Sequence, residues 1–450
     1  MVGRYAGVDW ASEKHDVLVQ DAGGEAVLAA TFSHDERGLK ALCRTLVRLG
    51  VVLVAIERPD GLLIERLLDA GLRVIAIHPN QVAAARPRFR ASGGKSDGFD
   101  AFVLCELART DHHRFRVLVA DSDDTKALRA LSRAREDLVQ TRVQLANQLR
   151  AELERFWPGA ALIFAEIDSP IGLAFLVRYP SPLDADGLGE KRLAAFLTRH
   201  AYCGRKQPAQ LLSKLRDAPQ GRAGEAEIEA RRAIVLALVA ALQPIVAKIS
   251  QLTREIAHRV RAHPDGHVFL SLFRDPKSVV CAAALLAEIG DCRARYRSAE
   301  ALAADAGMSP VAVESGKRKV ACFRHGCDHR LRTAVATLAD ATRHWHPWAA
   351  DRYNAARARG QDHQRAIRTL GRAWIRVLWR CWQDNTAYDP ARHHGLQQHI
   401  AVTIPNKSRP RLDLTATQRM AGAAITQRAA RSTERQALDG KPTSATTPQG

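Results

Sequence analysis

The sequence has no uninterrupted apolar run near the ~20 residues that a membrane-spanning helix needs, since Arg, Asp or Gly breaks each hydrophobic stretch. Its first residues, MVGRYAGVDWASEKHD, lack the apolar core and the small-residue cleavage site of a secretory signal. No segment of the chain repeats another. These absences lead us to expect a soluble, cytoplasmic protein without a membrane-bound part.

The eight cysteines follow no repeating spacing, and most stand in apolar or helical stretches. This pattern favours reduced, buried thiols over the disulfide framework of a secreted protein. Cys322, His325, Cys327 and His329 are close in sequence, but their intervals fit none of the common structural-zinc spacings. We therefore expect no zinc site there.

What the chain has in excess is positive charge. The 67 Lys and Arg against 48 Asp and Glu give a formal net charge of +19 over 450 residues. A surplus of this size on a soluble protein points to a polyanionic partner, most often nucleic acid. A proteome that favours Arg and Ala would give the same excess, so composition leaves that alternative open.

The first 80 residues alternate strand-like and helix-like segments. Short apolar stretches predict strands, periodic leucines predict helices, and a glycine pair at 23 and 24 marks a hairpin. Strands are predicted at residues 4–8, 16–20, 26–32, 51–56 and 73–77, helices at 36–49, 61–70 and 96–110, and an irregular basic segment at 81–96. This order is that of a mixed-sheet α/β domain of the ribonuclease-H or RuvC type.

The rest of the chain is predicted to be mainly helical. Two long amphipathic helices, at 123–156 and 224–263, are expected to pair in a coiled-coil-like arm. Pro244 falls inside the second and predicts a kink or break. The predicted divisions are a catalytic domain at 1–120, the helical arm at 121–263, a mostly helical carboxy-terminal domain at 264–395, and a basic, disordered tail at 396–450.

Acidic side chains follow two of the predicted strands. Asp9 comes directly after the first strand and Glu57 directly after the fourth, so both emerge at one edge if these strands are neighbours. Asp97 and Asp100 share a face of a predicted helix. Four carboxylates so placed are able to hold two Mg²⁺ ions about 4 Å apart for an in-line phosphoryl transfer. Taken singly, each has an ordinary alternative as a solvated turn residue or a residue at a helix start.

Three motifs around these carboxylates resemble those of a known family. GVDWASEKHDV, AIERPDG and KSDGFDA are similar to the motifs of the RuvC-like domain of DEDD-type insertion-sequence transposases, the bridge-RNA-guided recombinases. The resemblance resumes at ALLAEIGDCRARYRSAEALAADAGMSPVAVESGKRKV, which is similar to the family's carboxy-terminal transposase domain, and it covers roughly residues 3–395. It implies that Asp9, Glu57, Asp97 and Asp100 are the metal-binding tetrad.

The resemblance also implies a serine nucleophile, which falls on Ser315. The glycine that follows it would let the hydroxyl approach a phosphodiester closely. Lys317 and Arg318 are candidates to offset the charge that develops on the phosphate. Without the family, a polar loop serine between two helices is the better interpretation.

One stretch departs from the family pattern. Where the family has a glycine-rich turn before the helix ALLAEIG, this chain reads Leu272-Phe273-Arg274-Asp275-Pro276-Lys277-Ser278. A turn lined by backbone amides is therefore not expected, and Arg274 and Lys277 are the side chains left to contact phosphate. The alternative is a decayed or divergent copy.

Five arginines recur at intervals of three and four residues and form a stripe on one face of a predicted helix. They are Arg365, Arg368, Arg372, Arg376 and Arg380. A solvated cationic face explains the pattern adequately. Like charges one turn apart also repel by about 0.2–0.5 kcal/mol per pair, a cost that a nucleic-acid backbone would relieve.

These features together predict a DNA transposase that binds Mg²⁺ through its tetrad and forms a covalent link to DNA through Ser315. The family resemblance implies a noncoding guide RNA, and we expect a homodimer that assembles into a tetramer and acts on the bacterial nucleoid. Two alternatives stay open. One is a Holliday-junction nuclease of ribonuclease-H fold that uses the carboxylates and water, and the other is an inactivated copy that only binds nucleic acid.

Overall fold

A five-stranded mixed sheet forms the amino-terminal part of the chain. A computed structural model describes residues 3–57, 61–90, 96–275, 278–315 and 318–393. The strands of this sheet are β1 (Arg4–Trp10), β2 (Lys14–Gln20), β3 (Ala26–Ser33), β4 (Val51–Ile56) and β5 (Val74–Ala76). They lie in the order β3-β2-β1-β4-β5, with β2 antiparallel to both neighbours and β1, β4 and β5 parallel. The mixed sheet predicted from the sequence is confirmed.

Helices cover both faces of this sheet. They are α1 (Glu36–Arg48), α2 (Leu62–Asp69), α3 (Pro79–Phe89) and α4 (Asp97–Thr110). Val54 and Ile56 of β4 share a core with the apolar side chains of α1 and α2, whereas Leu53 and Ala55 share a second core with α3 and α4. Successive side chains of a strand point to opposite faces, so a strand buried on both faces is apolar at every position.

The contact between α4 and β1 depends on a glycine. A Cβ atom on Gly7 would lie 2.0 Å from the carbonyl oxygen of Ala101 and 2.4 Å from the backbone nitrogen of Cys105. The Cys105 thiol donates a hydrogen bond to the carbonyl oxygen of Tyr5, at 3.1 Å. Helix α4 therefore lies directly on the β1 backbone and runs opposite to it, which brings the first turn of α4 toward the carboxyl end of β1.

Helix α3 corrects the expectation that residues 81–96 are irregular. Pro79 occupies the first turn, the His78 Nδ1 accepts from the Asn80 amide at 3.1 Å, and the Gln81 side chain accepts from the His78 amide at 3.4 Å. These contacts satisfy amides that a helix start leaves open. Val82 is the one buried residue of α3, so the segment has no apolar stripe from which periodicity could predict a helix.

Two long helices pack side by side in the middle of the chain. The helices of this part are α5 (Asp123–Phe156), α6 (Pro158–Leu162), α7 (Pro170–Arg178), α8 (Glu190–Arg199), α9 (Pro208–Arg216) and α10 (Glu225–Ala262). Leu128 of α5 shares a core with Ile256 of α10, and Leu149 shares another core with Val235, so α5 and α10 are antiparallel. The second core also takes in residues of α6 to α9.

Helix α10 departs from the sequence expectations in two ways. The predicted break at Pro244 is wrong, because the helix continues through this residue; Pro244 is exposed, so water can reach the carbonyl that proline leaves without a donor. By length and composition α10 is also apolar enough to cross a membrane, contrary to the expectation that no stretch is. A helix that packs in a protein core meets the same criteria, so this composition is weak evidence for a membrane span.

The carboxy-terminal part is helical except for one hairpin. Its elements are α11 (Gly266–Leu270), α12 (Val279–Ile289), α13 (Ala299–Asp305), β6 (Val311–Ser315), β7 (Arg318–Cys322), α14 (His329–Thr342), α15 (Pro347–Ala358) and α16 (His363–Gln383). Short 3₁₀ turns occur here at Arg293–Arg295 and Pro390–His393, and earlier in the chain at His112–Arg114. Trp374 and Trp382 are fully buried in its core. The antiparallel hairpin β6–β7 was not predicted from the sequence. The described residues up to Asp389 form one compact unit. The predicted tail at 396–450 lies outside the described residues.

Candidate active site

The structure places Asp9 and Glu57 at the same edge of the sheet. Asp9 lies near the end of β1, and Glu57 directly follows Ile56, the last residue of β4. The parallel strands bring Val8 opposite Ile56. Each acid thus comes one position after a paired residue at the carboxyl ends of adjacent parallel strands, where sheets of this kind commonly present functional groups.

Asp97 and Asp100 occupy the first turn of α4. The Ser96 side chain caps this helix by accepting a hydrogen bond from the Phe99 amide at 3.3 Å. Asp97 is exposed, whereas Asp100 is only 3% exposed. Because α4 lies on β1 and runs opposite to it, this first turn is directed toward Asp9.

The charges of the other three carboxylates act on Asp9. Burial, followed by the charges of Asp100, Glu57, Asp97 and Asp16, raises the pKa of Asp9 from its ordinary value of 3.8 to about 6. Such a shift arises when carboxylates share one poorly solvated region, because each disfavours the ionised form of the other. The residues are distant in the sequence, yet they lie in one electrostatic field.

Arg86 of α3 is a member of the cluster that was missing from the sequence-based prediction. Its Nε donates to Asp100 Oδ1 at 2.7 Å and its terminal nitrogen donates to Asp100 Oδ2 at 2.9 Å. The hydrogen bond to Asp100, together with the charges of Asp100, Glu57 and Asp9, raises the pKa of Arg86 above its ordinary value. Arg86 therefore supplies a positive charge beside carboxylates that repel one another. The helix-capping pattern HPNQ was the signal that could have revealed its helix.

These carboxylates have the chemistry of a divalent-cation site. Carboxylate oxygens are the ligands that Mg²⁺ prefers, and a cation would relieve the repulsion that raises the pKa of Asp9. In the described part of the chain, however, no three His, Cys, Asp or Glu side chains form a group ready to hold a metal ion. Both oxygens of Asp100 also accept hydrogen bonds from Arg86. The donor set fits a divalent ion, and side-chain movements are needed before it can enclose one.

Ser315 lies at the tip of the β6–β7 hairpin. It is exposed and pairs with Arg318 across the tip. Within residues 3–57, 61–90, 96–275, 278–315 and 318–393 no hydrogen bond joins Ser315 to any of the four carboxylates. Arg318 begins β7, and Lys317, the other predicted phosphate contact, lies outside the described residues.

The arginine stripe on α16 divides into two parts. Toward its carboxyl end, Arg376 pairs with Glu300 at 3.3 Å and Arg380 pairs with Asp384 at 2.6 Å. Arg365, Arg368 and Arg372, nearer the start of the helix, have no acidic side chain within ion-pair distance among the described residues. Like charges are therefore compensated in one half of the stripe and left uncompensated in the other.

The altered turn before α12 is only partly described. Arg274 and Asp275 are exposed, and α12 begins at Val279. Lys277, which the sequence offered as a phosphate contact, lies outside the described residues, as does Pro276.

Two family models match this chain. One, a DEDD-type model described as a transposase, matches residues 6–158, and one described as "Transposase IS116/IS110/IS902 family" matches residues 278–354. The first match contains the four carboxylates and the second contains Ser315. The two matches thus cover both of the regions that resembled this family in the sequence.

Curated relatives agree with these matches. The "Mini-circle putative transposase for IS117" of Streptomyces coelicolor is 32% identical over 401 residues, which are 86% of this chain and 96% of that protein. The "Putative transposase y4uE" of Sinorhizobium fredii is 36% identical over 206 residues, 44% of this chain and 56% of that protein. The "Insertion element IS900 uncharacterized 42 kDa protein" of Mycobacterium paratuberculosis is 28% identical over 400 residues, 86% of this chain and 97% of that protein.

Proposed function

This chain belongs to the IS116/IS110/IS902 family of transposases, and we propose that it cuts and rejoins DNA strands by a metal-dependent phosphoryl transfer with a covalent serine intermediate. The observation that carries the proposal is the grouping of acids around Asp9: burial of Asp9, followed by the charges of Asp100, Glu57 and Asp97, raises the pKa of Asp9 to about 6. A carboxylate whose pKa is raised by burial and by neighbouring acids is typical of functional sites.

We assign the sheet to a ribonuclease-H or RuvC-like fold. The strand order β3-β2-β1-β4-β5, with only β2 antiparallel, and the acids at the ends of β1 and β4 support this assignment. We also propose a division into a catalytic domain at 1–120, a coiled-coil-like arm at 121–263 and a transposase domain at 264–395. The cores of the sheet and the core of α6 to α9 between the long helices support it, although the ends of α5 and α10 share a core with the carboxy-terminal part. The proposed tail follows at 396–450.

In the proposed mechanism Asp9, Glu57, Asp97 and Asp100 hold Mg²⁺, which when bound stabilises negative charge on the phosphate. The Ser315 Oγ attacks the phosphorus of a DNA phosphodiester and forms an Oγ–P bond. The bond from phosphorus to one deoxyribose oxygen breaks; that oxygen leaves with the electron pair and takes up a proton, while the serine proton passes to solvent. Lys317, Arg318 and the three arginines of α16 without ion-pair partners, Arg365, Arg368 and Arg372, neutralise the DNA backbone.

Rejoining reverses these steps on a second strand. A deoxyribose hydroxyl of that strand attacks the phosphoserine, the Ser315 Oγ leaves, and the serine is restored. One phosphate ester replaces another at each step, so the exchange needs no nucleotide to drive it. Hydrolysis has to be avoided, because water in place of the second hydroxyl would leave the strand broken.

We further propose that a homodimer assembles into a tetramer, in which Ser315 reaches the carboxylates of a neighbouring subunit. The exposed position of Ser315 at the tip of the β6–β7 hairpin, where a second subunit can reach it, supports this arrangement. Resemblance to the family supports guidance by a noncoding RNA, and the net charge of +19 is suited to binding both nucleic acids. The protein would then act on nucleoid DNA in the cytoplasm.

The covalent intermediate provides the test. We expect the purified protein with Mg²⁺ and a nicked DNA substrate to give a protein–DNA adduct that survives denaturation and maps to Ser315 by mass spectrometry. Ser315→Ala should abolish the adduct, while Ser250→Ala, at an exposed serine on α10, should leave it unchanged. An adduct of equal yield on Ser315→Ala would contradict the proposal.

A nuclease that uses water remains the second candidate, favoured by the grouping of the carboxylates around Asp9, which such a nuclease would use without a serine. It predicts Mg²⁺-dependent cleavage at full rate in Ser315→Ala. DNA binding without any Mg²⁺-dependent strand cleavage would instead identify an inactivated copy, the alternative suggested by the altered turn at residues 272–278.

A further inference from the structure

A phenylalanine at the base of the serine hairpin gathers two arginines from different helices. Phe323 directly follows β7 and is 39% exposed. The guanidinium carbon of Arg332, on α14, lies 4.5 Å from the centroid of the Phe323 ring, and that of Arg368, on α16, lies 4.9 Å from it. The negative faces of an aromatic ring attract cations, so the ring holds two like charges near each other.

These two guanidinium groups lack acidic partners. Arg332 donates to the carbonyl oxygen of Arg324, but its Nε is buried without a hydrogen-bond acceptor. Burial lowers the pKa of Arg368; Asp362 opposes this shift, and the charges of Arg332 and Arg365 add to it. In the part of the chain that the structure describes, no carboxylate lies within ion-pair distance of Arg332 or Arg368.

The backbone around Arg332 leaves room for this arrangement. Gly307 has a φ of +63°, and a Cβ atom there would lie 2.5 Å from a terminal nitrogen of Arg332 and 2.9 Å from the Cys327 sulfur. Glycine is therefore favoured at position 307 for two reasons: it adopts the left-handed backbone conformation, and it leaves space for the guanidinium group of Arg332. Arg324, whose Nε donates to the carbonyl of Ser309 at 3.2 Å, adds a further positive charge beside the hairpin base.

From these contacts we propose that Arg332, Arg368 and Phe323 form a phosphodiester-binding clamp, which holds the backbone of the nucleic acid that Ser315 attacks. Planar guanidinium groups bind phosphate oxygens through paired N–H donors, and a phosphate between two of them relieves their repulsion. The inference rests on the proposed function of Ser315, and it adds Arg332 and Phe323 to the candidate contacts. In this proposal the arginines of the stripe without acidic partners contact phosphate. Arg376 and Arg380 instead pair with the protein's own acids.

The length of the hairpin sets the position of the clamped phosphate. Val311 pairs with Cys322 at the base and Ser315 with Arg318 at the tip. Four residues of strand span about 13 Å, which corresponds to roughly four base pairs of duplex at 3.4 Å each. The clamped phosphate should therefore lie a few nucleotides away from the phosphate under attack.

Two double variants that each remove two arginines test the clamp. We expect Arg332→Gln with Arg368→Gln to weaken binding to a 30-base-pair duplex at least 10-fold near 0.1 M salt. The slope of log affinity against log salt should fall by about one to two, since each released phosphate contact contributes about 0.9. The control, Arg376→Gln with Arg380→Gln, removes the same charge from guanidinium groups that already have acidic partners, and should change affinity less than 3-fold. Equal losses in both double variants would overturn the clamp, as would no loss in the first.

A second measurement locates the contact on the DNA. Single methylphosphonate substitutions, which remove one backbone charge at a time, should weaken wild-type binding at one or two positions near four nucleotides from the cleavage site. The same substitutions should have no additional effect on the Arg332→Gln, Arg368→Gln variant. The affinity of the same variants for an RNA stem, measured in parallel, shows whether the clamp holds DNA or RNA. Loss with DNA, alone or together with RNA, supports the clamp, and loss with RNA alone or with neither overturns it.

Two further variants separate the effect of the clamp on binding from effects on folding and on the serine chemistry. Phe323→Leu keeps an apolar residue at the hairpin base while removing the aromatic faces, and should reduce affinity 3- to 10-fold with unchanged circular dichroism. Wild-type affinity in that variant would count against the role of the ring. Ser315→Ala should bind DNA as wild type does. If the Ser315→Ala protein still forms the adduct while the clamp variants lose DNA binding, the serine mechanism fails and the clamp stands. If the Ser315→Ala protein forms no adduct while the clamp variants bind DNA as wild type does, only the clamp fails.

Discussion

The acidic edge of the sheet and the serine hairpin differ in how the fold supports them. Asp9 lies on β1, which contacts both cores of the sheet, and Asp100 lies on α4, which belongs to one of them. Gly7 allows α4 to rest on the β1 backbone, and Arg86 pairs with the Asp100 carboxylate. Ser315 is at the exposed tip of a two-stranded hairpin. A rigid sheet keeps the backbone of these acids in place, so that only side chains have to move when a cation binds. In our proposal Ser315 is a nucleophile that meets DNA and another subunit, and an exposed hairpin tip suits this role.

The difference also concerns charge. At the acidic edge the fold brings like charges together and partly compensates them with Arg86. Near the hairpin it brings arginines together around Phe323 without acids. Each cluster is thus complementary to a ligand of opposite sign, a metal ion in the first case and a phosphate in the second.

The largest expected effect comes from Asp9. Asp9→Asn should reduce strand transfer by on the order of 10³-fold or more, because it removes a metal ligand at the centre of the cluster. Asp16→Asn, which changes the acid paired with Asp9 across β1 and β2, is the matched control and should retain activity within about 10-fold. Rates of product formation on a labelled duplex measure both. Similar losses in the two variants would mean that bulk charge, and no specific tetrad, is required.

The close contact of α4 with β1 should be nearly as sensitive. Gly7→Ala places a methyl group against the α4 backbone, so we expect a loss of about 3 kcal/mol in stability and of most activity. Gly98→Ala, on the first turn of α4 where nothing lies within 4 Å, should stabilise the protein by about 0.5–1 kcal/mol. Urea unfolding measures both changes. A stable Gly7→Ala protein would show that α4 can move away without disturbing the site.

Arg86 gives a smaller effect that depends on metal. Arg86→Gln leaves the buried Asp100 carboxylate without its ion pair, and should destabilise the metal-free protein by about 2 kcal/mol. Added Mg²⁺ should then raise the melting temperature more in this variant than in wild type, because the guanidinium group no longer occupies both Asp100 oxygens. Arg88→Gln removes an exposed pair with Asp111 and serves as control. Equal Mg²⁺ stabilisation in all three proteins would exclude competition between Arg86 and the metal.

The raised pKa of Asp9 predicts a pH dependence of stability. Its folded pKa of about 6 exceeds the ordinary 3.8, so between these values the folded protein binds more protons than the unfolded chain. The contribution of Asp9 to stability is therefore largest at low pH and is lost as pH rises through 6. In EDTA, Asp9→Asn should gain on the order of 1–2 kcal/mol relative to wild type between pH 5 and 7.5, with allowance for partial exposure. A difference between the two proteins that does not change with pH would contradict this shift.

The smallest effects are expected on the hairpin surface. Val313 and Val320 are 50% and 38% exposed, so changing both to Thr should alter stability by less than about 0.5 kcal/mol. Val54→Ala, in the fully buried centre of β4, should cost about 2 kcal/mol. Thermal unfolding of the two variants compares an exposed element with a packed one. A large loss from the hairpin variant would show that these valines contact something in solution, such as a second subunit.

Local pattern allowed much of the fold to be predicted. The strand at Val51–Ile56 and the long helix at Asp123–Phe156 were predicted with the bounds that the structure has, because a continuous apolar run and a near-heptad repeat are strong signals. The helix at Pro79–Phe89 was missed because it buries only Val82, and the hairpin around Ser315 because its strands are short and mostly exposed. The periodicity of apolar residues reflects which side chains are buried. Helices and strands that bury few side chains therefore cannot be recognised from it.

The sequence by itself determined which residues have the chemistry for a phosphoryl-transfer site, since residue type and motif are local properties, and the family comparison confirms the resemblance that those motifs carried. Only the tertiary structure decided that Arg86 neutralises Asp100, that Arg332 joins Arg368 over Phe323, and that half of the arginine stripe is already paired. The physical reason is that electrostatic energy depends on distance through space and on burial. Neither quantity follows from the order of residues along the chain until the packing of the elements is known.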